Sequence, residues 1–341
     1  MQELGLVVVI VILGLVLTIW SRRITPDGPN PFFNFDNLIN RVVTPMSVYA
    51  IMAVGMTFVI ISGGIDISVG SIFTLAALFA ARALERFDVD APAWKVLATA
   101  FCVAPGIGLL CGLLNGLLVT QLRLHPFIVT LGTMSIFAGL CNVTNPIIKT
   151  LPSGDNDLPA ALSTNLMQRY YFATSSSVGV RLMPMVFTLA CVIVGWFFLR
   201  MMIAGRETYA VGGNEEAARF SGLKVNWIKL RVYMLSGLAA GIAGVVSLGR
   251  FGTISTNTGA GYELTVVAAA VVGGASLLGG RGTALGALLG ALVIRMIENG
   301  IDTLKLNQEY SMIIVGSAII VAAAIDRFSE HLSLSRHARR S

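Results

Sequence analysis

AGRETYAVGGNEEAARFSGLKVNWIKLR, residues 204–231, is the longest well-charged stretch between long apolar runs in this chain. Arg206, Glu207, Glu215, Glu216, Arg219, Lys224, Lys229 and Arg231 all fall in it, although charged residues make up only 12% of the sequence. Hydrocarbon does not host that density of charge without a large desolvation cost, so the segment belongs in water, as a loop. Its internal order predicts that the loop is folded. Asn214 is placed to cap a helix by accepting from the free N–H groups of the next turn. Glu215 and Glu216 follow where the helix dipole favours negative charge, and Gly222 stops the helix. The short helix expected over 215–221 carries Ala217, Ala218 and Phe220 as a small apolar patch beside Arg219, a surface suited to docking in a partner's groove. The alternative is a connector that touches nothing.

Outward from this loop the chain is apolar from end to end. Hydrophobic residues make up 55%, and the mean hydropathy is +0.79. Several windows exceed the roughly 18 consecutive apolar residues that cross a bilayer. A soluble domain would carry about twice this charged fraction. The chain therefore reads as one integral membrane domain over 1–341 with no soluble module. The net charge of +6 is spread over separate loops and the tail RHARR at 336–340, a placement that fits a lipid surface and argues against nucleic acid. Cys102, Cys111, Cys141 and Cys191 sit in apolar runs without a CxxC pair, so neither zinc nor a disulfide framework is expected. No GxxxxGK[ST] occurs, so no nucleotide or other cofactor is expected.

In chain order, spans are expected at 4–20, 42–62, 67–84, 96–120, from Pro126 onward, and at 183–203, 230–250, 262–280, 282–301 and 310–326. The fold class is all-α, with about ten transmembrane helices, some broken at Gly-rich segments, and a short surface helix at 215–221. Gly63 and Gly64 predict the first break, since glycine adopts backbone conformations closed to other residues. Asp66 and Ser68 beside it have two readings, a place near a transport path and a helix cap; Asp-x-Ser before a helical run favours the cap. Gly106, Gly108, Gly112 and Gly116 give small-xxx-small faces for close helix approach, with Asn115 among them, bonding either a neighbouring helix or a ligand. Gly63, Gly64 and Gly70 recur as Gly273, Gly274 and Gly280 at an offset of 210, either by chance or as a duplicated scaffold with path glycines at matching breaks. Glu263 is a helix-start carboxylate. Arg295, Glu298, Asn299 and Asp302 lie at helical spacing near a helix end, where mutual pairing satisfies them better than a proton relay.

Three segments together resemble a known family. YAVGGNEEAARFSGL at 209–223, with YMLSGLAAGIAGVV after it at 233–246, looks like the cytoplasmic coupling loop of permeases in ABC importers of the ribose, xylose and galactose type. GMTFVIISGGIDISVGS at 55–71 and GYELTVVAAAVVGGASLLGGRGT at 261–283 resemble the family's other signatures, in the same order. The resemblance covers much of 46–326.

It implies a permease subunit of an ATP-driven, binding-protein-dependent importer that forms the path for a monosaccharide. An ATPase subunit would grip Asn214, Glu215, Glu216, Ala217, Ala218, Arg219, Phe220 and Gly222. The other implied partners are an external sugar-binding protein, a second permease subunit and the lipid bilayer of the bacterial inner membrane. Both termini and the tail 327–341 would be cytoplasmic, and the loop 147–182 external. Asp66, Ser68, Asn115, Phe127, Thr130, Thr133, Gly273, Gly274 and Ser276 are the path candidates, with ordinary packing as the other reading of Phe127, Thr130 and Thr133. No catalysis is expected in this chain. The competing functions are a secondary transporter or channel for a small polar solute, or an ABC permease for another solute.

Overall fold

The computed structural model describes residues 2–24, 28–87, 91–144, 169–171, 179–181, 183–321 and 324. Most of the expected external loop 147–182 and the tail 327–341 lie outside the described residues. The helices are α1 (Gln2–Ile24), a π-helical turn (Asn37–Val43) running on into α2 (Thr44–Ile61), α3 (Val69–Leu84), α4 (Ala93–Gln121) and α5 (Pro126–Thr144). After them come α6 (Met183–Met201), α7 (Ile203–Gly213), α8 (Glu215–Phe220), α9 (Val225–Phe251), α10 (Tyr262–Val272), α11 (Ala284–Thr303) and α12 (Glu309–Val321). Among the described residues seven helices are long and apolar enough to cross a membrane; α3, α10 and α12 are apolar but shorter. Between α5 and α6 an antiparallel pair, β1 (Arg169–Tyr171) and β2 (Gly179–Arg181), sets Arg169 opposite Arg181 and departs from the all-α expectation.

Two helix breaks shape the molecule. At the end of α2, Gly63 adopts φ +81°, and the Gly64 N–H reaches back to Val59 O at 3.0 Å. At the end of α10, Gly274 adopts φ +94°, and the Ala275 N–H reaches back to Ala270 O at 2.9 Å. Both are left-handed C-terminal closures in which glycine avoids the Cβ penalty. Because Gly63 matches Gly274, the two breaks correspond at an offset of 211 instead of the 210 read from the glycine pairs. The second break also cuts the span expected at 262–280: α10 stops at Val272 and residues 273–283 connect it to α11.

α10 is short for a further reason. The chain between α9 and α10 folds back inward, and the Gly259 N–H bonds Thr74 Oγ1 at 2.9 Å, ten residues short of the end of α3. Non-helical backbone at such depth is tolerated only where protein surrounds it.

The core is built around α9. A Cβ at Gly112 would lie 3.0 Å from Met234 Cα and run into Tyr233 O, and Gly108 and Gly237 meet backbone to backbone in the same way, so α4 and α9 touch along their main chains. Gly116 continues this face against Leu230, whereas Gly106 meets nothing within 4 Å and is no part of it. From the other side Gly55 of α2 rests on Ser236 and Ala239. α2 is buried almost all round, as its uniformly apolar sequence requires. At one end of the molecule Thr283 Oγ1 donates to Glu3 Oε1 at 3.2 Å, setting the start of α1 beside the start of α11. Toward the other end Asn37 and Asn299 exchange amide hydrogen bonds of 2.9 and 3.0 Å. Among the described residues the mutual pairing expected of the α11 polar residues therefore holds for Arg295 and Glu298 alone, at 2.8 Å. Asn299 turns to Asn37, and Asp302 accepts from Gln308. Glu263 does sit in the first turn of α10, accepting from Gly261 N at 3.3 Å.

Candidate functional site

The polar stretch that reads as a loop with one short helix is helical almost throughout. α7 went unread because Gly212, Gly213 and scattered charges resemble a linker, yet Gly205, Thr208 and Val211 form a buried stripe one helical face wide. At Asn214 the backbone turns extended (φ −159°, ψ 103°) and its Oδ1 accepts from Ala217 N at 2.9 Å, the cap that its residue type predicts. α8 ends one residue earlier than expected, at Phe220, with Gly222 at φ +84° just beyond.

The apolar patch expected of Ala217, Ala218 and Phe220 divides. Ala218 turns inward and packs with Val211, Val225 and Ile228, whereas Phe220 stands 91% exposed beside the exposed Ala217 and Glu216. Glu215 works internally: its Oε2 accepts from Lys229 Nζ at 2.6 Å and its Oε1 from Arg219 at 3.2 Å. Partial burial pushes the Glu215 carboxyl up, but the Lys229 hydrogen bond and charge, followed by Arg219, outweigh it and hold the group below the ordinary carboxylate value. Nearby, Arg231 ties α9 to α7 by donating to Glu207 at 3.2 Å and to Ala204 O at 3.0 Å.

α7 also touches both helix breaks. Gly212 lies so close to the end of α2 that a Cβ there would run into Ile61 O and stand 2.7 Å from Gly280 N. Gly280 N in turn donates to Ile61 O at 2.8 Å, and Tyr209 Oη donates to Gly282 O at 2.6 Å. The surface helix, the first break and the second break thus meet at one end of the bundle.

Deeper inside lies a polar cluster at the first break. Asp66 Oδ1 accepts from Ser68 N at 3.1 Å and Ser68 Oγ at 2.6 Å, which is the cap chemistry read from Asp-x-Ser. Asn115 Nδ2 donates to Ser68 Oγ at 2.7 Å, and Ser236 Oγ to Asp66 Oδ2 at 3.1 Å. Just before Asp66, Ile65 O accepts from Tyr233 Oη at 3.3 Å and Thr130 Oγ1 at 3.4 Å. Asp66, Ser68, Asn115, Thr130, Tyr233 and Ser236 are all buried, and Asn115 Oδ1 has no hydrogen-bond partner among the described residues. Four of the path candidates therefore converge, on a closed cluster that ties α3, α4, α5 and α9 together. Thr133 is buried on α5 and, among the described residues, bonds Thr130 O alone, while Phe127 is half-exposed at the start of the same helix. Gly273, Gly274 and Ser276 belong to the second break. Tyr233 and Ser236 escaped the sequence reading because they stand in a small-residue run; two hydrogen-bonding side chains three residues apart were the only sign of a shared face.

A family model described as branched-chain amino acid transport system / permease component matches residues 38–323. The chain belongs to this permease family. Ribose import permease protein RbsC of Haemophilus influenzae is 35% identical to the permease over 329 residues, covering 96% of this chain and 93% of its own. D-allose transport system permease protein AlsC of Escherichia coli is 34% identical over 93% and 90%. Fructose import permease protein FrcC of Rhizobium meliloti is 32% identical over 84% and 77%. No solved structure matches the permease. With its seven long apolar helices, it is a multi-pass membrane protein.

Proposed function

We propose that the chain is the membrane-spanning subunit of an ATP-driven, binding-protein-dependent importer and forms the path for a monosaccharide. The observation that carries this reading is the near full-length likeness to permeases named for ribose and D-allose, joined by one named for fructose. The family description names branched-chain amino acids, whereas these individual relatives are named for sugars, and the reading follows the relatives.

In this reading α3, α10 and α12 complete ten crossings, so both termini share a side. Thr283 sets the start of α1 at the end where α7 and α8 lie, and this supports a cytoplasmic N-terminus, coupling helix and tail, with 147–182 external. The permease hydrolyses nothing. A separate ATPase subunit grips α8 through Phe220, Ala217 and Glu216, beside Asn214, Arg219 and Gly222, while Glu215 and Ala218 hold the helix on its own chain. Because ATPases close as pairs, a second permease copy or close relative completes the path, and an external binding protein delivers sugar to it. Force on α8 passes through α7 into Ile61 and into Gly280 and Gly282, and so into both breaks at once. The Asp66 cluster with Asn115 and Thr130, and the Gly273, Gly274 and Ser276 connection, are the parts of the path this force rearranges.

The test is co-purification. Glu216→Lys with Phe220→Ala is expected to reduce recovery of the ATPase subunit after gentle detergent extraction while permease yield stays unchanged. Full recovery would remove α8 from the docking surface.

A further inference from the structure

We infer that the transported sugar makes a transient contact in a cavity between α2, α10, α11 and α12; this rests on the sugar-import reading above. The cavity measures about 470 Å³ and is lined by Tyr49, Tyr262, Thr265, Arg295, Glu298 and Gly316, among others. That volume lies within the range of small-molecule sites, about 300–1,000 Å³.

Depth is the first argument. Tyr49 lies 12 residues up α2 from Ile61, and Arg295 lies 11 residues along α11 from Ala284. At about 1.5 Å per residue both are roughly 16–18 Å from the α7 end, well inside a hydrocarbon core of about 30 Å. The sequence places Arg295 and Glu298 near a helix end, and α11 runs on past both to Thr303. Ionised groups at that depth are costly toward lipid and belong against a polar cavity or pathway. Their side chains are only 19% and 15% exposed.

The second argument is chemistry. Arg295 is held by two bonds, Nε to Arg41 O at 3.0 Å and a terminal nitrogen to Glu298 Oε2 at 2.8 Å. Glu298 Oε1 has no donor among the described residues, so an acceptor fixed by its own ion pair remains for a hydroxyl. Tyr49 and Tyr262 meet edge to face at 4.9 Å, and Tyr262 in turn packs on Phe73 at 5.5 Å, which fixes aromatic rings on the cavity wall. A rigid carboxylate and guanidinium beside aromatic carbon suit a neutral polyol, whose hydroxyls need donors and acceptors while its C–H faces lie on rings. The wall is held in place by the inward fold of the chain at Gly259.

The experiment uses vesicles holding the permease with its ATPase and binding protein, and ribose as the probe. Gly316→Trp fills the cavity from a position where a Cβ meets nothing within 4 Å, and Gly5→Trp adds the same bulk where α1 is equally open. Gly316→Trp is expected to cut ribose uptake at least about tenfold while hydrolysis stimulated by loaded binding protein persists, and Gly5→Trp to leave both unchanged. Glu298→Gln is expected to change the ratio of ribose to fructose uptake, with Glu298→Asp restoring it. Uptake and sugar ratio equal to wild type in both Gly316→Trp and Glu298→Gln would overturn the contact site and leave sugar import standing. Loss of hydrolysis together with uptake in Gly316→Trp would also overturn it, by marking a structural fault. Wild-type vesicles that move no monosaccharide would instead sink the import reading itself.

Discussion

Asp66 is the residue on which most of the buried polar chemistry converges. Its two oxygens accept from Ser68 twice, from Ser236 once and from Asn115 Nδ2 at 3.5 Å, with no cation at hydrogen-bonding distance among the described residues. Removing the carboxyl leaves buried donors without acceptors, at about 1–3 kcal/mol each. Asp66→Ala is therefore expected to lower the thermal unfolding midpoint in detergent markedly. Asp66→Asn, which keeps one acceptor for these donors, is expected to lower it less. Equal losses in the two variants would show that shape, and not hydrogen bonding, is what the site needs. Glu215 carries a prediction of another kind. Its carboxyl is held below the ordinary value of 4.5, so its contribution to seating α8 is complete above that value and disappears as pH falls through the lowered one. The protection factor of the α8 amides, which divides out the intrinsic pH dependence of exchange, is expected to fall on acidification in the wild type and to show little change with pH in Glu215→Gln. The caps at Asn214 and Asp66 were legible because their partners lie within three residues. Ser236 was not, because it stands 170 residues from the carboxylate it serves, and only tertiary packing joins them.

Among the elements, the α4–α9 contact shows how spacing specifies a face without naming what covers it. Gly108, Gly112 and Gly116 repeat every four residues and therefore share a side of α4; Gly106 is out of phase and faces open space. Gly112→Ala must push the α9 backbone aside, an overpacking cost of about 1–3 kcal/mol, whereas Gly106→Ala is expected to be neutral or slightly stabilising. A melting comparison of the two variants in detergent checks this, and equal stability would mean that the helices separate freely. Helix lengths were less legible than faces. The apolar run 262–280 hides the break after Val272, because the residues that end α10 are themselves small and apolar. α7 was hidden for the opposite reason: its outward side is charged, and only three buried positions mark its inner face.

At the scale of the whole molecule, the two breaks lie far apart in sequence but meet through α7. The sequence shows glycine pairs at both places, yet not that they belong to one assembly, since the offset of 211 becomes visible only in the backbone closures at Gly63 and Gly274. Gly212 is the shared contact. It has no side chain, and that absence lets α7 lie against Ile61 O and Gly280 N together. Gly212→Ala would separate α7 from both, while leaving Phe220 and Glu216 on the outer side of α8 untouched. If force travels by this route, the variant should still recruit the ATPase subunit and still insert in the membrane, but hydrolysis should no longer produce uptake. The measurement is the ratio of sugar moved to ATP consumed in reconstituted vesicles, expected to fall several-fold with co-purification unchanged. A ratio equal to that of the wild type would mean that α8 acts on the breaks through another element. Of the contacts already described, the Tyr209–Gly282 bond and the Lys229–Glu215 and Arg231–Glu207 links into α9 would then be the remaining routes.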